Sequence, residues 1–241
     1  MKALILAAGL GARLRPLTDK IPKVMVDIGG KPLLWYHVQL LKKHGIKDIW
    51  INLHWRPEVI KSYFGNGSKF GIKIKYSFEK KLLGTSGALK NPDSNVEKEL
   101  RKAPFLVFYG DNLTNINISK MISFHKIRKS FLTVAPYIYE KAWKKGVIEI
   151  DTKQQILQFV EKPLKGATKS KLVNSGVYIC SNKVFNFVPD DFSDFGFDIF
   201  PKLLAAKMPL YTFSPDYYFQ DIGTFEGLRK AKKDLKKIDL W

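Results

Sequence analysis

The chain has 241 residues, 45% of them apolar and 13% aromatic, with 41 basic against 22 acidic side chains and a formal net charge of +19. That length and apolar content support a packed core of one or two domains and exclude a disordered chain. No apolar run approaches the roughly 18 residues that a membrane span requires, so a membrane is not an expected partner.

The single cysteine, Cys180, excludes an internal disulfide and a cysteine-based zinc site. Such cysteine usage fits a reducing, cytoplasmic compartment. The four histidines (His37, His44, His54, His125) are scattered and read as ordinary core or surface side chains rather than metal ligands. The positive charge draws anions. Arginine, however, occurs only at positions 13, 15, 56, 101, 128 and 229. Sequence-reading nucleic-acid sites lean on arginine forks, so nucleic acid is not the expected partner. Oligomeric state, including a homo-oligomer, is left open.

In chain order, "KALILAA" reads as a buried strand. "KPLLWYHVQLLKKHG" reads as a helix, with Leu34, Val38 and Leu41 on one face, Lys42 and Lys43 at its C-terminal end and Gly45 to close it. "KDIWINLH" is the next strand, "RPEVIKSYFGNG" a short helix, and "GIKIKYSFE" an alternating strand. "FLVFYGD" is a continuous apolar run ending in an acid. A helix near Ile118–Arg128 and a strand, "FLTVAPY", follow. The strands "GVIEID", "QILQFVEKP" and "LVNSGVYIC" crowd the second half as a meander before the last helix, "TFEGLRKAKKDLKK", whose charges read as a solvated face. The β-α-β-α rhythm predicts an α/β fold with helices on both faces of a sheet, ligands binding beyond the carboxyl ends of the strands. One domain over 1–241 is expected, with lobes of roughly 1–115 and 116–241 and no internal repeat.

The stretch "LAAGLGARLRPLT", Leu6 to Thr18, joins a strand to a Gly-x-Gly turn and two arginines. Glycines let backbone N–H groups approach phosphate oxygens, and an arginine adds a charged fork. The stretch is not a P-loop, since no Gly-Lys-Ser/Thr follows, nor a dinucleotide fingerprint, since the third glycine is missing and Pro16 interrupts the helix. Alone, the loop reads equally as a tight strand-exit turn.

Further motifs follow it: Gly9-x-Gly11-x-Arg13-Leu14-x-Pro16-x-Thr18, Pro22-Lys23, "GGKPLL" at 29–34, "LGTSGAL" at 83–89, "YGD" at 109–111, "VEKP" at 160–163, "NSGVY" at 174–178 and "DIGT" at 221–224. In this order the chain resembles the sugar-1-phosphate nucleotidyltransferases over nearly its whole length. The resemblance implies a Rossmann-like three-layer αβα fold with a mixed, mostly parallel sheet. It also implies transfer of a nucleotidyl group from a nucleoside triphosphate to a sugar-1-phosphate, with Mg2+ as cofactor. In such chemistry the attacking phosphate is already an anion, so positioning and charge neutralisation dominate.

By the same resemblance, the backbone of Ala7, Ala8 and Gly9 and the stretch from Glu79 to Gly84 contact the base, the amides around Leu10 and Gly11 cradle the triphosphate, and Thr85 also binds the nucleotide. Arg13 holds the leaving pyrophosphate and Lys23 neutralises the α-phosphate. Asp111 and Asp221 are the metal ligands. Gly146, Glu161, Lys162, Asn174 and Gly176 bind the sugar phosphate. Departures from the family pattern are Ala12 for Thr, Leu82 for Pro, Lys145 for Tyr and Val24-Met25 for Pro-[ML]; none removes a metal ligand or phosphate contact. "FEKKLLGTSGAL" resembles guanylyltransferases, which points to GTP with mannose-1-phosphate. Heptose-1-phosphate, other triphosphate and sugar pairs, and a non-catalytic nucleotide-binding regulator on the same fold stay open.

Overall fold

The structure is a computed structural model, described here over residues 1–238. Its elements in chain order are β1 (Lys2–Leu6), β2 (Asp27–Ile28), β3 (Lys31–Pro32), α1 (Leu33–Lys43), β4 (Asp48–Leu53), α2 (Pro57–Phe64), β5 (Lys73–Phe78), α3 (Gly84–Gly87), α4 (Val96–Leu100), β6 (Phe105–Tyr109), β7 (Asn112–Thr114), α5 (Ile118–Ile127), β8 (Leu132–Ile138), β9 (Gly146–Ile150), β10 (Ile156–Glu161), β11 (Leu172–Cys180), α6 (Phe200–Ala205), β12 (Leu210–Thr212), β13 (Phe219–Asp221) and α7 (Phe225–Asp234). The class is α/β with mixed strand pairing. No described helix is long and apolar enough to cross a membrane.

The residues group into two compact units. The first holds Met1–Leu82, Phe108–Ile118 and the chain from Asp216 onward; the second holds Leu83–Val107 and Ser119–Pro215. The units therefore interleave in sequence, where a single division near residue 115 was expected. The reason lies in strand pairing: the chain returns at its end so that β13 can pair with β7.

In the first unit β1, β4 and β5 run parallel, in register from Lys2↔Asp48 to Leu6↔Asn52 and from Asp48↔Lys73 to Leu53↔Phe78. Ala3, Leu4 and Ile5 are wholly buried. Parallel strands carry helices on their faces, which is why "KALIL" is a continuous apolar run rather than an alternating one. Helix α1 buries Leu34, Val38 and Leu41, as its periodicity predicts. It ends where Gly45, at φ 75°, donates its N–H to Lys42 O while Ile46 N–H reaches Leu41 O.

Gly29 and Gly30 both have positive φ and turn β2 back on β3. Leu14, Val26, Ile28, Leu33, Tyr36, Leu113, Ile222, Leu228 and Ala231 pack as one cluster. Each such aliphatic side chain contributes roughly 1.5–3 kcal/mol on burial. Helix α7 is thus more than a solvated face, because Leu228 and Ala231 close this core while its lysines face outward.

In the second unit the strand order is β10–β9–β11–β8–β12, antiparallel throughout except where β12 joins β8 in parallel. The β11–β8 ladder slips between Asn174 and Val177, around Gly176 at φ 78°. Tyr178, Phe195, Phe200 and Phe159 make the aromatic core, with Phe159 stacked on Phe200 at 4.1 Å between centroids. Cys180 lies wholly buried, and burial pushes its thiol well above the usual range.

Candidate functional site

In the first unit, the predicted phosphate and metal residues gather where β1 leaves its sheet. Gly11 takes φ 66°, and a Cβ there would lie 3.0 Å from Thr18 Cγ2 and 3.1 Å from Lys23 Cβ. Only glycine allows both that left-handed turn and that approach. Thr18 Oγ1 donates to Gly11 O at 2.8 Å and Trp55 Nε1 donates to Thr18 O at 3.1 Å, so the loop is closed from behind. Gly9 and Leu10 are exposed, and nothing lies within 4 Å of a Cβ placed on Gly9. Pro16 follows a cis peptide bond.

Lys23 opens a 3-10 turn with its stem buried, and its Nζ reaches Asp111 Oδ2 at 2.6 Å. Asp111 sits just beyond β6. Gly110 before it is packed so closely that a Cβ would lie 2.8 Å from both Leu6 O and Val24 Cγ1. Gly110 N–H donates to Leu6 O, which locks the acid beside the end of β1.

Asp221 arrives from the far end of the sequence. It lies opposite Asn112 in the β7–β13 ladder, and the next N–H, of Ile222, donates to Asp111 O at 2.9 Å. The two acids therefore occupy neighbouring rungs. Asp221 Oδ1 accepts from Gly223 N–H. A Cβ on Gly223 would meet Asp221 Oδ1 at 2.7 Å and Arg13 Nη2 at 2.8 Å, so Arg13 and Asp221 converge on the space that this glycine leaves open. Thr224, not Asp221, caps α7, accepting from Gly227 N–H.

Two predicted nucleotide residues hydrogen-bond to Asn52. Ala7 N–H is taken by Asn52 Oδ1, and Glu79, only 1% exposed, accepts from Asn52 Nδ2 at 2.7 Å. Glu79 supports the loop from inside the unit because burial and hydrogen bonding hold it there. His37 is also buried, its Nε2 donating to Asn112 O, and burial pulls the imidazole down to about 4. The ring is therefore neutral at neutral pH.

In the second unit, Glu161 ends β10 with Gly146 opposite. A Cβ on Gly146 would come within 2.6 Å of Glu161 Oε2, and one on Gly196 within 2.4 Å. The carboxylate thus lies against two glycines. Its burial, reinforced by Asp194, raises its pKa, while Lys162 and Lys145 pull the other way. Lys162, at φ 48°, is exposed, donates its N–H to Lys145 O, and sets its ammonium 5.9 Å from the Phe197 ring. Asn174 Nδ2 donates to Tyr178 OH at 2.6 Å and its Oδ1 accepts from Gly176 N–H at 2.9 Å, which fixes the amide.

Thr85 gives both its N–H and its hydroxyl to Asp194 Oδ1, at 2.9 and 2.8 Å, and accepts from Phe195 N–H. Gly84, at φ 80°, presses on Ser193 O. The "LGTSGAL" turn is therefore fastened to the turn that carries Gly196.

Sequence reading did not single out Asn52, Gly110, Asp194, Gly196, Gly223 or Gly227. Gly110 and Gly223 lay inside the motifs "YGD" and "DIGT". Asn52 and Asp194 carried no local signal.

A family model described as nucleotidyl transferase matches residues 2–238. A UTP–glucose-1-phosphate uridylyltransferase of Synechocystis is 35% identical over all of this chain and 66% of its own length. A mannose-1-phosphate guanyltransferase of Yarrowia lipolytica is 34% identical over 92% of the chain and 61% of its own length. The chain thus spans somewhat under two thirds of these longer relatives. A D-glycero-alpha-D-manno-heptose 1-phosphate guanylyltransferase of Campylobacter jejuni is 35% identical over 94% of the chain and 96% of its own length. Among solved structures, a Bacillus anthracis protein described as a glucose-1-phosphate thymidylyltransferase superposes with a TM-score of 0.88 at 25% identity, covering 99% of this chain and 96% of its own. HddC from Yersinia pseudotuberculosis, complexed with GMP-PN, gives 0.80 at 30% identity, covering 97% and 99%.

Proposed function

The chain belongs to the nucleotidyl transferase family, and from that premise we propose that it transfers a nucleotidyl group from a nucleoside triphosphate to a sugar-1-phosphate. The observation that carries this reading is the gathering of Arg13, Lys23, Asp111 and Asp221 at the exit of β1. A phosphate oxygen of the sugar-1-phosphate attacks the α-phosphorus. The bond from that phosphorus to the bridging oxygen breaks, and pyrophosphate leaves with the electron pair. No proton need move, because nucleophile and leaving group are both anions. The protein's work is to bind, align and neutralise them.

The exposed backbone at Gly9 and Leu10 suits the triphosphate, Arg13 the departing pyrophosphate, and Lys23 the α-phosphate as a point charge. Lys23 would exchange its ion pair with Asp111 for the phosphate. The donors toward a metal are carboxylate oxygens only, Asp111 and Asp221, on neighbouring rungs. No group of three or more His, Cys, Asp or Glu gathers among the described residues. An all-oxygen donor set of two carboxylates suits Mg2+, which takes its other positions from water and phosphate oxygens. When bound, Mg2+ supplies charge neutralisation on the phosphates.

In the second unit Glu161 is suited to accept from sugar hydroxyls, and Asn174 both donates and accepts. Lys162 suits the sugar phosphate. Gly146 makes room for the Glu161 carboxylate, and Gly176 N–H holds the Asn174 amide.

For the substrates, we favour GTP with mannose-1-phosphate, and heptose-1-phosphate as the second acceptor to try. "FEKKLLGTSGAL" resembles guanylyltransferases, and the Campylobacter relative matches at nearly full length. Uridylyl transfer to glucose-1-phosphate is the other arm, given the Synechocystis relative. Pyrophosphate release measured for GTP, UTP, dTTP, CTP and ATP against mannose-, heptose- and glucose-1-phosphates tests both levels. Turnover confined to GTP supports the finer reading, and no Mg2+-dependent release from any pair removes the coarser one.

A further inference from the structure

We propose that Asn52 is a positioning residue that sets the path of the nucleotide loop, acting through the Ala7 amide and held in one orientation by Glu79. The inference rests on the reading of that loop as a triphosphate site. The parallel β1–β4 ladder ends at the pair Leu6↔Asn52. Ala7 is the first residue beyond it and is buried, so its N–H needs an acceptor that the ladder no longer supplies. Asn52 Oδ1 is that acceptor. The side chain extends the ladder by one bond, and the backbone is released toward solvent only at Gly9 and Leu10.

An amide can sit either way round, and its neighbours choose. A carboxylate only accepts, so Glu79 Oε1, 2.7 Å from Asn52 Nδ2, faces the amide nitrogen and turns the oxygen to Ala7. Glu79 is itself held by its backbone. Its N–H donates to Leu53 O and its carbonyl accepts from His54 Nδ1–H, each at 2.8 Å. The row Ala7–Asn52–Glu79 is thus oriented from end to end, and both side chains are at most 3% exposed. The Ala7 N–H is committed to Asn52, which leaves triphosphate contacts to the amides that follow.

The test uses the reversed pair. In Asn52→Asp the new carboxylate faces the Glu79 carboxylate, and their repulsion drives it off the Ala7 amide. Adding Glu79→Gln lets an amide N–H donate to that carboxylate from the other side, which restores the row with donor and acceptor exchanged. The single variant N52D is expected to raise the KM for the triphosphate by about tenfold, the usual cost of misplacing one buried hydrogen bond. The KM for the sugar-1-phosphate should stay within about twofold. The pair N52D/E79Q should return the triphosphate KM to within about threefold of wild type. In parallel, hydrogen exchange at the Ala7 amide, read by NMR without substrates, should be slow in wild type and N52D/E79Q and fast in N52D. A double variant no better than N52D, or an Ala7 amide equally protected in all three, overturns the proposal. If wild type turns over no substrate pair, the functional reading fails, while the exchange rates still decide the role of Asn52.

Discussion

Replacing Gly223 with alanine probes the point where Arg13 and Asp221 meet. The backbone at Gly223 is not left-handed, so alanine suits it there. The added methyl is what matters. At 2.7 Å from Asp221 Oδ1 and 2.8 Å from Arg13 Nη2, it forces each group away by about 0.6–0.7 Å to reach ordinary contact. Both are ends of side chains, and Arg13 is exposed, so the strain relaxes outward. Stability should change by less than about 1 kcal/mol, or about 2–4 °C in Tm for a chain of this size. Activity should respond more strongly, because a misplacement of about 1 Å costs on the order of a hundredfold. The expected loss in kcat/KM is about 10–100-fold, equivalent to about 1.4–2.7 kcal/mol of transition-state stabilisation. Steady-state pyrophosphate release and a thermal melt on the same preparation measure both. Wild-type kcat/KM with a wild-type melt would refute the convergence as a working part of the site. A melt lowered by about 10 °C, with activity lost in proportion, would make the glycine merely structural.

Other changes separate binding from folding. Gly9→Ala meets nothing within 4 Å and should leave the melt unchanged while raising the triphosphate KM, as kinetics on the two proteins will show. Thr85→Val removes a hydroxyl that donates to Asp194 and accepts from Phe195, and should destabilise by about 1–3 kcal/mol in urea unfolding, with Thr85→Ser recovering most of it. His37 carries a pH dependence. Above about 6.5 the ring is neutral folded and unfolded, so it contributes no slope. As pH falls from 6.5 toward about 4, the unfolded chain binds a proton that the buried ring refuses, and stability falls. The full loss is roughly 3 kcal/mol. His125, also held near 4 by burial, adds to it with the same sign. Urea midpoints at about pH 7.5, 5.5 and 4.5 should decline, and a His37→Gln variant should decline less steeply.

The sequence was most informative where chemistry and local structure coincide. "LVNSGVYIC" is β11 to the residue, and α1 ends at the glycine its pattern nominated, because periodicity and left-handed caps are local effects. The glycine turn, Lys23 and Asp111 stood out because each lies in a short motif shared with a known family. What escaped depends on distance in the chain. Asn52 acts on a residue 45 positions away and Asp194 on one 109 away, and neither position looks unusual among its neighbours. Glu79 was assigned to the base from its motif, yet a buried carboxylate bonded to an inward amide is identified only once β4 and β5 are paired. The interleaving of the units was invisible for the same reason, since β7 and β13 are three-residue strands with no periodicity to read.

The pairing of β13 with β7, with α7 pressed onto Asp221 so closely that a Cβ on Gly227 would lie 2.1 Å from its carbonyl oxygen, has a consequence for synthesis. A ribosome delivers the chain from residue 1, and domains begin to organise as they emerge. Every residue of the second unit has been made by Pro215, whereas the first waits for its last segment. The glycine loop, Lys23 and Asp111 are all translated early. They gain their acidic partner and its covering helix only when Asp221 to Ala231 have left the exit tunnel. The first unit is thus the last to be finished, although it is the first to be written.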